Sequence, residues 1–247
     1  MRDLDELERA RRYYDGFAET YEARRGGRGR YHALLDDLET ELAAPLVRGR
    51  DLLEVGCGTG LILSRLAPLA RTARGVDLSP GMLQRARARG LDVVEGSATA
   101  LPFADASFDV AVSFKTLAHV PDLARSLAEM ARVVRPGPAS RIVAELYNPW
   151  SLRGVLKRAL PPARAGAGTE ADVLCRYDDR RAVERALPPG WRVAAARGIR
   201  TLTLSAWMLE APLVGPLLEV AERAIADTDL AVRFGGLVCW VLRPTRS

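Results

Sequence analysis

The residues best suited to chemistry form a glycine-rich turn with an acid at its mouth. Residues 52–60 read LLEVGCGTG, so an apolar strand ends in Glu54 and a Gly-x-Gly-x-Gly turn opens into a helical pattern. Glycines at this spacing permit a tight turn and let a ligand approach the backbone. The first amides of the following helix remain available to a bound group. The run predicts a strand–turn–helix that binds a small ligand.

Two acids and the glycine spacing indicate the kind of ligand. Dinucleotide-binding turns follow Gly-x-Gly-x-x-Gly, whereas here Gly60 comes one residue early and Leu61 takes the usual place. Glu54 would repel a pyrophosphate but attract an ammonium or sulfonium. Asp77 ends a second predicted strand roughly 20 residues further on, where such folds hold a ribose diol. The predicted ligand is a nucleoside with a cationic tail and no phosphate, a description that S-adenosylmethionine satisfies. The alternative is a turn that binds nothing.

Three further side chains could act on a substrate. His119 follows the fourth predicted strand, at the edge where ligands bind in parallel sheets, and histidine titrates near neutral pH. It could instead cap or pack the helix that follows. Glu145 and Tyr147 end the fifth predicted strand and are alternative bases, or a polar strand end that starts a loop. A base is needed only if the methyl acceptor must lose a proton. With two histidines in the chain, no metal-ligand cluster is visible.

Alternating strands and helices must position these residues. This alternation with short loops over 51–145 predicts a parallel sheet covered on both faces. The predicted strands are 51–55, 73–76, 91–95, 108–113 and 141–146, and the predicted helices are 61–70, 80–89 and 122–134.

The flanks are predicted to be mostly helical. Helices are expected at 3–22 and 31–46, and Tyr14, Phe17 and Tyr21 on the first either pack on the core or line a lid. Proline and glycine break 147–190 into a cap insert of short helices. The expected elements after 146 are a helix at 180–186, a strand at 191–203, a broken helix at 206–226 and a last strand at 234–242.

Composition fits one domain over 1–247, with 47–146 as its ligand-binding core and 191–247 as its C-terminal strands and helix. The chain is 48% hydrophobic and has no apolar run of membrane-spanning length. Three widely spaced cysteines predict reduced thiols in a cytoplasmic protein. The net charge of +5 comes mainly from 151–200, which has eleven basic and five acidic residues. Because arginine is used almost throughout in place of lysine, this excess is weak support for nucleic-acid binding, which we do not expect.

Four motifs in order resemble the class I S-adenosylmethionine-dependent methyltransferases, and most closely the type 11 subgroup with the ubiquinone/menaquinone C-methyltransferases. They are LLEVGCGTG, GVDLSPGML, GSATALPFADASFDVAVS and AEMARVVRPG, within residues 45–145. The resemblance implies an α/β, Rossmann-like doubly wound seven-stranded sheet. Its strands are mostly parallel, and the antiparallel last strand lies between the fifth and sixth.

The resemblance also assigns cofactor contacts. Gly56 and Gly58, with Cys57 and Gly60 in the same turn, would cradle the methionine end of the cofactor. Glu54 would lie near its amino group, and Asp77 would bind both ribose hydroxyls. The remaining contacts would be Leu78 and Met82 against the adenine, Ser97 and Ala98 near its amine, and Phe114 beside the sulfonium. The subgroup often has Asp where Ser97 stands, so a charged hydrogen bond is absent from this position.

Three functions follow as hypotheses. The first is O-, N- or C-methylation of a small molecule, such as a quinone or secondary metabolite, by a monomer or homodimer that yields S-adenosylhomocysteine and needs no metal. The second is methylation of RNA or protein, motivated by the basic segment 151–200. Against it, Ser113-Phe114-Lys115-Thr116 replaces the Asn-Pro-Pro-Tyr type motif after the fourth strand. The third is a non-catalytic adenosylmethionine-binding partner protein.

Overall fold

A computed structural model describes residues 2–18, 21, 29–152, 154–155, 164–165, 168–169 and 174–245. The side chains of 2–7, 17, 164–165 and 168–169 lie outside this description. The strands are β1 (Asp51–Val55), β2 (Thr72–Asp77), β3 (Asp92–Glu95), β4 (Val110–Ser113), β5 (Arg141–Tyr147), β6 (Arg164–Ala165), β7 (Gly168–Thr169), β8 (Trp191–Ile199) and β9 (Leu237–Pro244). The α-helices are α1 (Arg2–Ala18), α2 (Arg30–Val47), α3 (Leu63–Leu66), α4 (Pro80–Ala88), α5 (Leu123–Val133), α6 (Arg180–Ala186), α7 (Ala206–Glu210), α8 (Val214–Ile225) and α9 (Asp229–Phe234).

Seven strands form one sheet in the order β3-β2-β1-β4-β5-β9-β8. The first five run parallel, and β9 lies antiparallel between β5 and β8. This is the Rossmann-like α/β arrangement expected from the motifs, with the last strand inserted as predicted. Strands β6 and β7 form a separate two-stranded sheet in the insert, where short helices were predicted.

The central strands are apolar because both faces of the sheet are covered. Leu52 and Val110 belong to the cluster that also contains Leu38 of α2. Their neighbours Leu53 and Ala111 belong to the opposite cluster, which contains residues of α5. Alternation along each strand therefore supplies two hydrophobic layers, and the loops at the carboxyl ends of the strands remain at one edge.

The helix after the glycine turn is shorter than predicted. The predicted helix 61–70 consists of α3 followed by a 3₁₀ turn, Ala67–Leu69. Pro68 explains the change, because proline lacks an amide hydrogen and clashes with the preceding turn of an α-helix. By contrast, α4 begins at residue 80 as predicted, and Ser79 caps it: Ser79 Oγ accepts from the Met82 amide at 3.1 Å.

The C-terminal strands also differ from prediction. Strand β8 ends at Ile199 because Arg200 adopts φ 61° and the loop beyond it turns towards Glu222. The predicted strand 234–242 began too early, since Thr228 caps a helix that continues to Phe234. No described helix has both the length and the apolar character needed to cross a membrane.

Candidate cofactor and acceptor site

The glycine turn has a conformation that side chains would obstruct. Gly56, Gly58 and Gly60 all have positive φ, at 72°, 53° and 80°. A Cβ on Gly56 would lie 2.2 Å from Thr116 Cγ2. A Cβ on Gly60 would lie 2.3 Å from the side chain of Leu91, so Gly60 serves close packing of the turn against its neighbours. Gly56 and Gly58 face the cavity, whereas Gly60 does not.

The turn opens on a cavity of about 350 Å³, within the range of small-molecule sites. All the predicted cofactor residues except Gly60 line it. They are Glu54, Gly56, Cys57, Gly58, Asp77, Leu78, Met82, Ser97, Ala98 and Phe114. The glycine turn, Glu54 and Asp77 were predicted from their spacing and the others from the family resemblance, and the parallel register of β1, β2 and β4 brings the ends of these strands to one edge.

Asp77 holds the turn and faces the cavity. Its Oδ2 accepts from the Gly58 amide at 2.8 Å, and its Oδ1 accepts from the Ser79 amide at 2.9 Å. Burial raises the pKa of this carboxyl, and the backbone hydrogen bonds oppose that shift. An ionised carboxylate has about four lone-pair sites, so Asp77 retains capacity for hydroxyl donors of a ligand.

Glu54 is a buried acid in the wall of the cavity. Within the described part of the chain, its Oε2 has no hydrogen-bond partner. Burial raises its pKa to about 8, and the charge of Lys115 only partly opposes this shift. A ligand ammonium would supply the missing partner and favour the ionised form. The residues present therefore fit a cofactor with a cationic amino-acid end and a nucleoside end.

Lys115 and Thr116 also line the cavity, although the sequence analysis assigned them no site role. Thr116 Oγ1 donates to the Gly56 carbonyl at 3.1 Å and so connects the β4 loop to the glycine turn. Lys115 adopts φ 57°, and its Nζ lies 3.1 Å from Asp36 Oδ1 and 2.5 Å from Glu39 Oε1. The sequence offered one signal for a role of Lys115: it is a lysine that follows an apolar strand in a chain that otherwise prefers arginine.

Glu145 is not brought to the cavity surface. It is fully buried, its Oε2 accepts the Lys115 amide at 2.9 Å, and Cys239 Sγ lies 3.6 Å from its Oε1. Burial raises the pKa of Glu145, and burial beside Glu145 raises that of Glu39. Glu145 therefore stabilises the backbone of Lys115 by accepting its amide. A buried acid in this position does not suit the role of a base that must touch substrate.

His119 lies in the cavity wall, between aromatic rings. The ring centroids of Tyr14 and Tyr147 are 6.4 Å and 5.9 Å from that of His119. Tyr147 does not line the cavity, and burial raises its pKa. It therefore packs against the His119 ring from the protein interior. Asp122 caps the next helix by accepting from the Arg125 amide at 2.8 Å, so the alternative that His119 is this cap is wrong.

A backbone carbonyl determines the tautomer of His119. Its Nδ1 lies 2.7 Å from the Leu174 carbonyl oxygen. Because a carbonyl can only accept, Nδ1 must carry the hydrogen, and the lone pair of a neutral ring is then on Nε2. Leu174 was not predicted as a site residue, since a backbone acceptor so far along the chain leaves no sequence signal.

The N-terminal helix covers one side of the cavity. Arg9, Ala10 and Tyr14 of α1 line it, as does Tyr21 beyond the end of the helix, while the side chain of Phe17 lies outside the described residues. Asp15 Oδ1 attaches the helix to α4 by accepting from Ser79 Oγ at 2.5 Å and from the Gly81 amide at 3.0 Å. Burial raises the pKa of Tyr14.

Comparison with known proteins adds independent findings. Residues 53–139 match the family described as "Methyltransferase domain", of type 11. A probable S-adenosylmethionine-dependent methyltransferase of Mycolicibacterium smegmatis is 41% identical over 91 residues, which are 36% of this chain and 35% of that protein. A demethylmenaquinone methyltransferase of a Mycobacterium species is 37% identical over 132 residues, which are 49% of this chain and 57% of that protein.

A solved structure shows the same fold over a longer stretch. It is a Thermotoga maritima S-adenosylmethionine-dependent methyltransferase titled a possible histamine N-methyltransferase, with TM-score 0.66 and 21% identity. The alignment covers 96% of this chain and 99% of that one. The two curated relatives are matched over only about a third and somewhat more than half of their lengths. Residues 53–139 of this chain thus match the type 11 methyltransferase domain family, and the two curated relatives are named a probable S-adenosylmethionine-dependent methyltransferase and a demethylmenaquinone methyltransferase.

Proposed function

We propose that this protein transfers a methyl group from S-adenosylmethionine to a small hydroxylated aromatic acceptor, with His119 as general base. The observation that carries the proposal is the hydrogen bond from His119 Nδ1 to the Leu174 carbonyl, in the wall of the cofactor cavity. It directs the basic lone pair to Nε2, the form required to accept a hydroxyl proton.

The lining of the cavity supports an aromatic acceptor. Beside His119 it consists of Tyr14, Tyr21, Val120, Pro121 and Leu174, which offer rings and apolar surface to a planar molecule. Relatives named demethylmenaquinone methyltransferase favour a quinol among such acceptors. The cytoplasmic location expected from the cysteines is part of the proposal, supported by Cys175, an exposed thiol outside any disulfide.

The chemistry assigned to the chain is binding, alignment and proton removal. The bound cofactor supplies an electrophilic methyl group on a cationic sulfur. Glu54 holds the amino-acid end, Asp77 holds the ribose, and Phe114 borders the reacting group. The acceptor hydroxyl gives its proton to Nε2, and its electrons attack from the oxygen or the conjugated ring carbon. The carbon–sulfur bond breaks as the new bond forms, leaving a neutral thioether. For attack from carbon, the ring hydrogen leaves as a proton when aromaticity returns, and the oxygen takes back the proton held on Nε2, so that one proton is released overall.

Alignment of the acceptor with the methyl group accounts for much of the expected rate acceleration. The neutral thioether is a good leaving group, and the base has only to remove the hydroxyl proton. The α1 helix is the proposed lid, since its Arg9, Ala10 and Tyr14 line the cavity and Asp15 anchors the helix to α4. Exclusion of water would protect the donor and fix the acceptor.

Turnover with a labelled methyl donor tests the proposal. We expect label in hydroxylated aromatic molecules, with naphthoquinols among the substrates, and none in RNA or protein. His119→Gln should lower kcat about 10²–10⁴-fold with S-adenosylhomocysteine affinity unchanged, and should remove the ionisation near neutral pH from the kcat profile. His32→Gln is the matched control.

Several outcomes would contradict it. Label confined to RNA or protein would reject the acceptor class. Cofactor binding without turnover on a broad acceptor panel and a fractionated extract would favour a non-catalytic protein. A His119→Gln enzyme with an unchanged pH profile would reject the base while leaving the methyl transfer intact.

A further inference from the structure

An exposed apolar surface lies on the α7–α8 hairpin, apart from the cavity. Helix α8 buries Gly215 and Glu222 and packs Leu218 against the core. Its outer face shows a second stripe, formed by Leu213, Leu217, Val220 and Ala224, all exposed to solvent. These positions follow spacings of four, three and four residues, the pattern of a seam that packs against another helix.

The surface is larger than a monomer ordinarily exposes. Leu213 is 85% exposed, Leu217 74%, Trp207 69% and Val220 67%. Val214 of α8 is also exposed, as are Leu202 and Leu204 in the loop that leads into α7. Together these side chains expose on the order of 700 Å² of apolar area, compared with roughly 300–600 Å² for the largest patch of a typical monomer. A partner in a standard-sized interface buries about 800 Å² per side.

The hairpin is held in a fixed conformation before any partner arrives. Glu222 accepts from three consecutive amides, those of Thr201, Leu202 and Thr203, at 3.0, 2.9 and 2.7 Å. A Cβ on Gly215 would lie 2.1 Å from the Leu209 carbonyl oxygen, so α7 and α8 are in close contact. A surface fixed in this way loses little conformational entropy on association.

The charges at its border favour a protein partner over an anionic membrane. From 202 to 218 the only charged residue is Glu210, and the flank towards α2 holds Arg223 together with Asp37, Glu41 and Glu219. Surfaces that dock on anionic lipid carry lysine and arginine around the apolar face, whereas this border is net acidic.

We propose that the α7–α8 surface binds a second copy of this chain, with α8 packed against α8 of the partner across a two-fold axis. One self-complementary patch of this area is what an isologous dimer requires. The apolar centre with a single tryptophan at its side matches the composition of homodimer interfaces. The proposal does not depend on the acceptor or on His119, so its test is separate from that of the methyl transfer.

Sedimentation equilibrium of the full chain tests the dimer. We expect the wild type to have twice the 26.9 kDa chain mass at micromolar concentration. Leu217→Glu should have the single-chain mass and at least a 100-fold weaker self-association constant. Leu230→Glu, at an equally helical and 55% exposed site outside the seam, should remain dimeric.

A cross-link supplies a test that does not depend on weakening the protein. Leu217→Cys in a Cys175→Ser background should form a disulfide-linked dimer under mild oxidation, while Leu230→Cys should not. A wild type that stays monomeric at about 100 µM, with no cross-link through position 217, would overturn the proposal. If that monomer floats with anionic phospholipid vesicles and Leu217→Glu does not, the surface serves a membrane instead.

Discussion

At the scale of single residues, the proposed chemistry depends on two acids and one histidine, each in a different environment. Asp77 is hydrogen-bonded by backbone amides, Glu54 is buried with an oxygen lacking a described partner, and His119 is oriented by a carbonyl. We therefore propose that the same chemical group serves as a structural acceptor at Asp77 and as a cation receptor at Glu54.

Glu54 makes cofactor binding and stability depend on pH in opposite directions. Its pKa of about 8 lies above that of an unfolded chain, so the folded protein without ligand keeps a proton that the unfolded chain releases. Stability without ligand is therefore lost as pH rises from about 4.5 to 8. We expect Glu54→Gln to have a larger free energy of unfolding than wild type at pH 8.5, by a few kcal/mol at most, and the difference to vanish near pH 4.5, measured by urea unfolding at each pH.

Affinity should show the reverse dependence. S-adenosylmethionine should bind wild type more tightly at pH 8.5 than at pH 6.5, with proton release measurable by calorimetry in buffers of different ionisation enthalpy. Glu54→Gln should bind weakly at both values. Glu95→Gln, an exposed acid outside the cavity lining, is the control. Proton-independent binding by wild type would show that Glu54 does not meet the cation.

At the scale of elements, one carboxylate, Asp15, links α1, the proposed lid, to the start of α4. Asp15 meets both Ser79 and Gly81, and Ser79 in turn donates its amide to Asp77. Loss of the ligand and loosening of the helix should therefore be coupled through one short path.

Asp15→Ala tests this coupling. Because it removes two hydrogen bonds at the edge of the fold, we expect the chain to remain folded, with about 1–3 kcal/mol less stability of α1 docking. Dissociation of S-adenosylhomocysteine should become faster, and hydrogen exchange in 8–18 should lose its protection by ligand. The control is Glu8→Ala on the same helix, an exposed residue whose ion pair with Arg11 is long, at 4.0 Å. Unchanged dissociation with Asp15→Ala would mean that the helix is not a lid.

At the scale of the whole molecule, the sheet has a cavity at its carboxyl edge and a charge network at its amino edge. Asp51 and Asp109 share Arg71 and Arg135, with nitrogen–oxygen distances of 2.6 to 3.0 Å. Hydrogen bonds from Arg71 hold the pKa of Asp51 well below its ordinary range, and that of Asp109 is lowered despite its burial. This network joins β1, β4 and the segment after α5.

Acid unfolding should reflect that network. Because both carboxyls have lower pKa values in the folded chain, the stability they contribute is present above about pH 4 and is lost as pH falls below it. We expect Asp109→Asn to cost about 1–2 kcal/mol at pH 7 and almost nothing near pH 2, measured by urea unfolding. Asp92→Asn, whose ion pair with Arg74 is more exposed, should cost less at both values. An equal loss at pH 2 and pH 7 would exclude this charge mechanism.

The sequence by itself determined the central sheet and most of the cofactor residues. Strand and helix periods, the glycine spacing and the acids at strand ends are local signals, and parallel strands bring their carboxyl ends to one edge. Glu54 and Asp77 could therefore be predicted from position, whereas Phe114 was predicted only through the family resemblance. Errors occurred where local patterns were ambiguous, as at Pro68 after the glycine turn and at the helix Asp229–Phe234.

Only the tertiary structure decided how distant groups meet. The Leu174 carbonyl beside His119, Asp15 beside Ser79 and the amide of Lys115 on Glu145 join residues 30 to 64 positions apart. Each depends on the path of a connecting loop or helix, for which hydrophobic period carries no information. The exposure of Leu217 and its neighbours on α8 was also decided by the tertiary structure. An apolar stripe on a helix predicts burial, and only the packing of the helices shows that no part of the described chain covers this one.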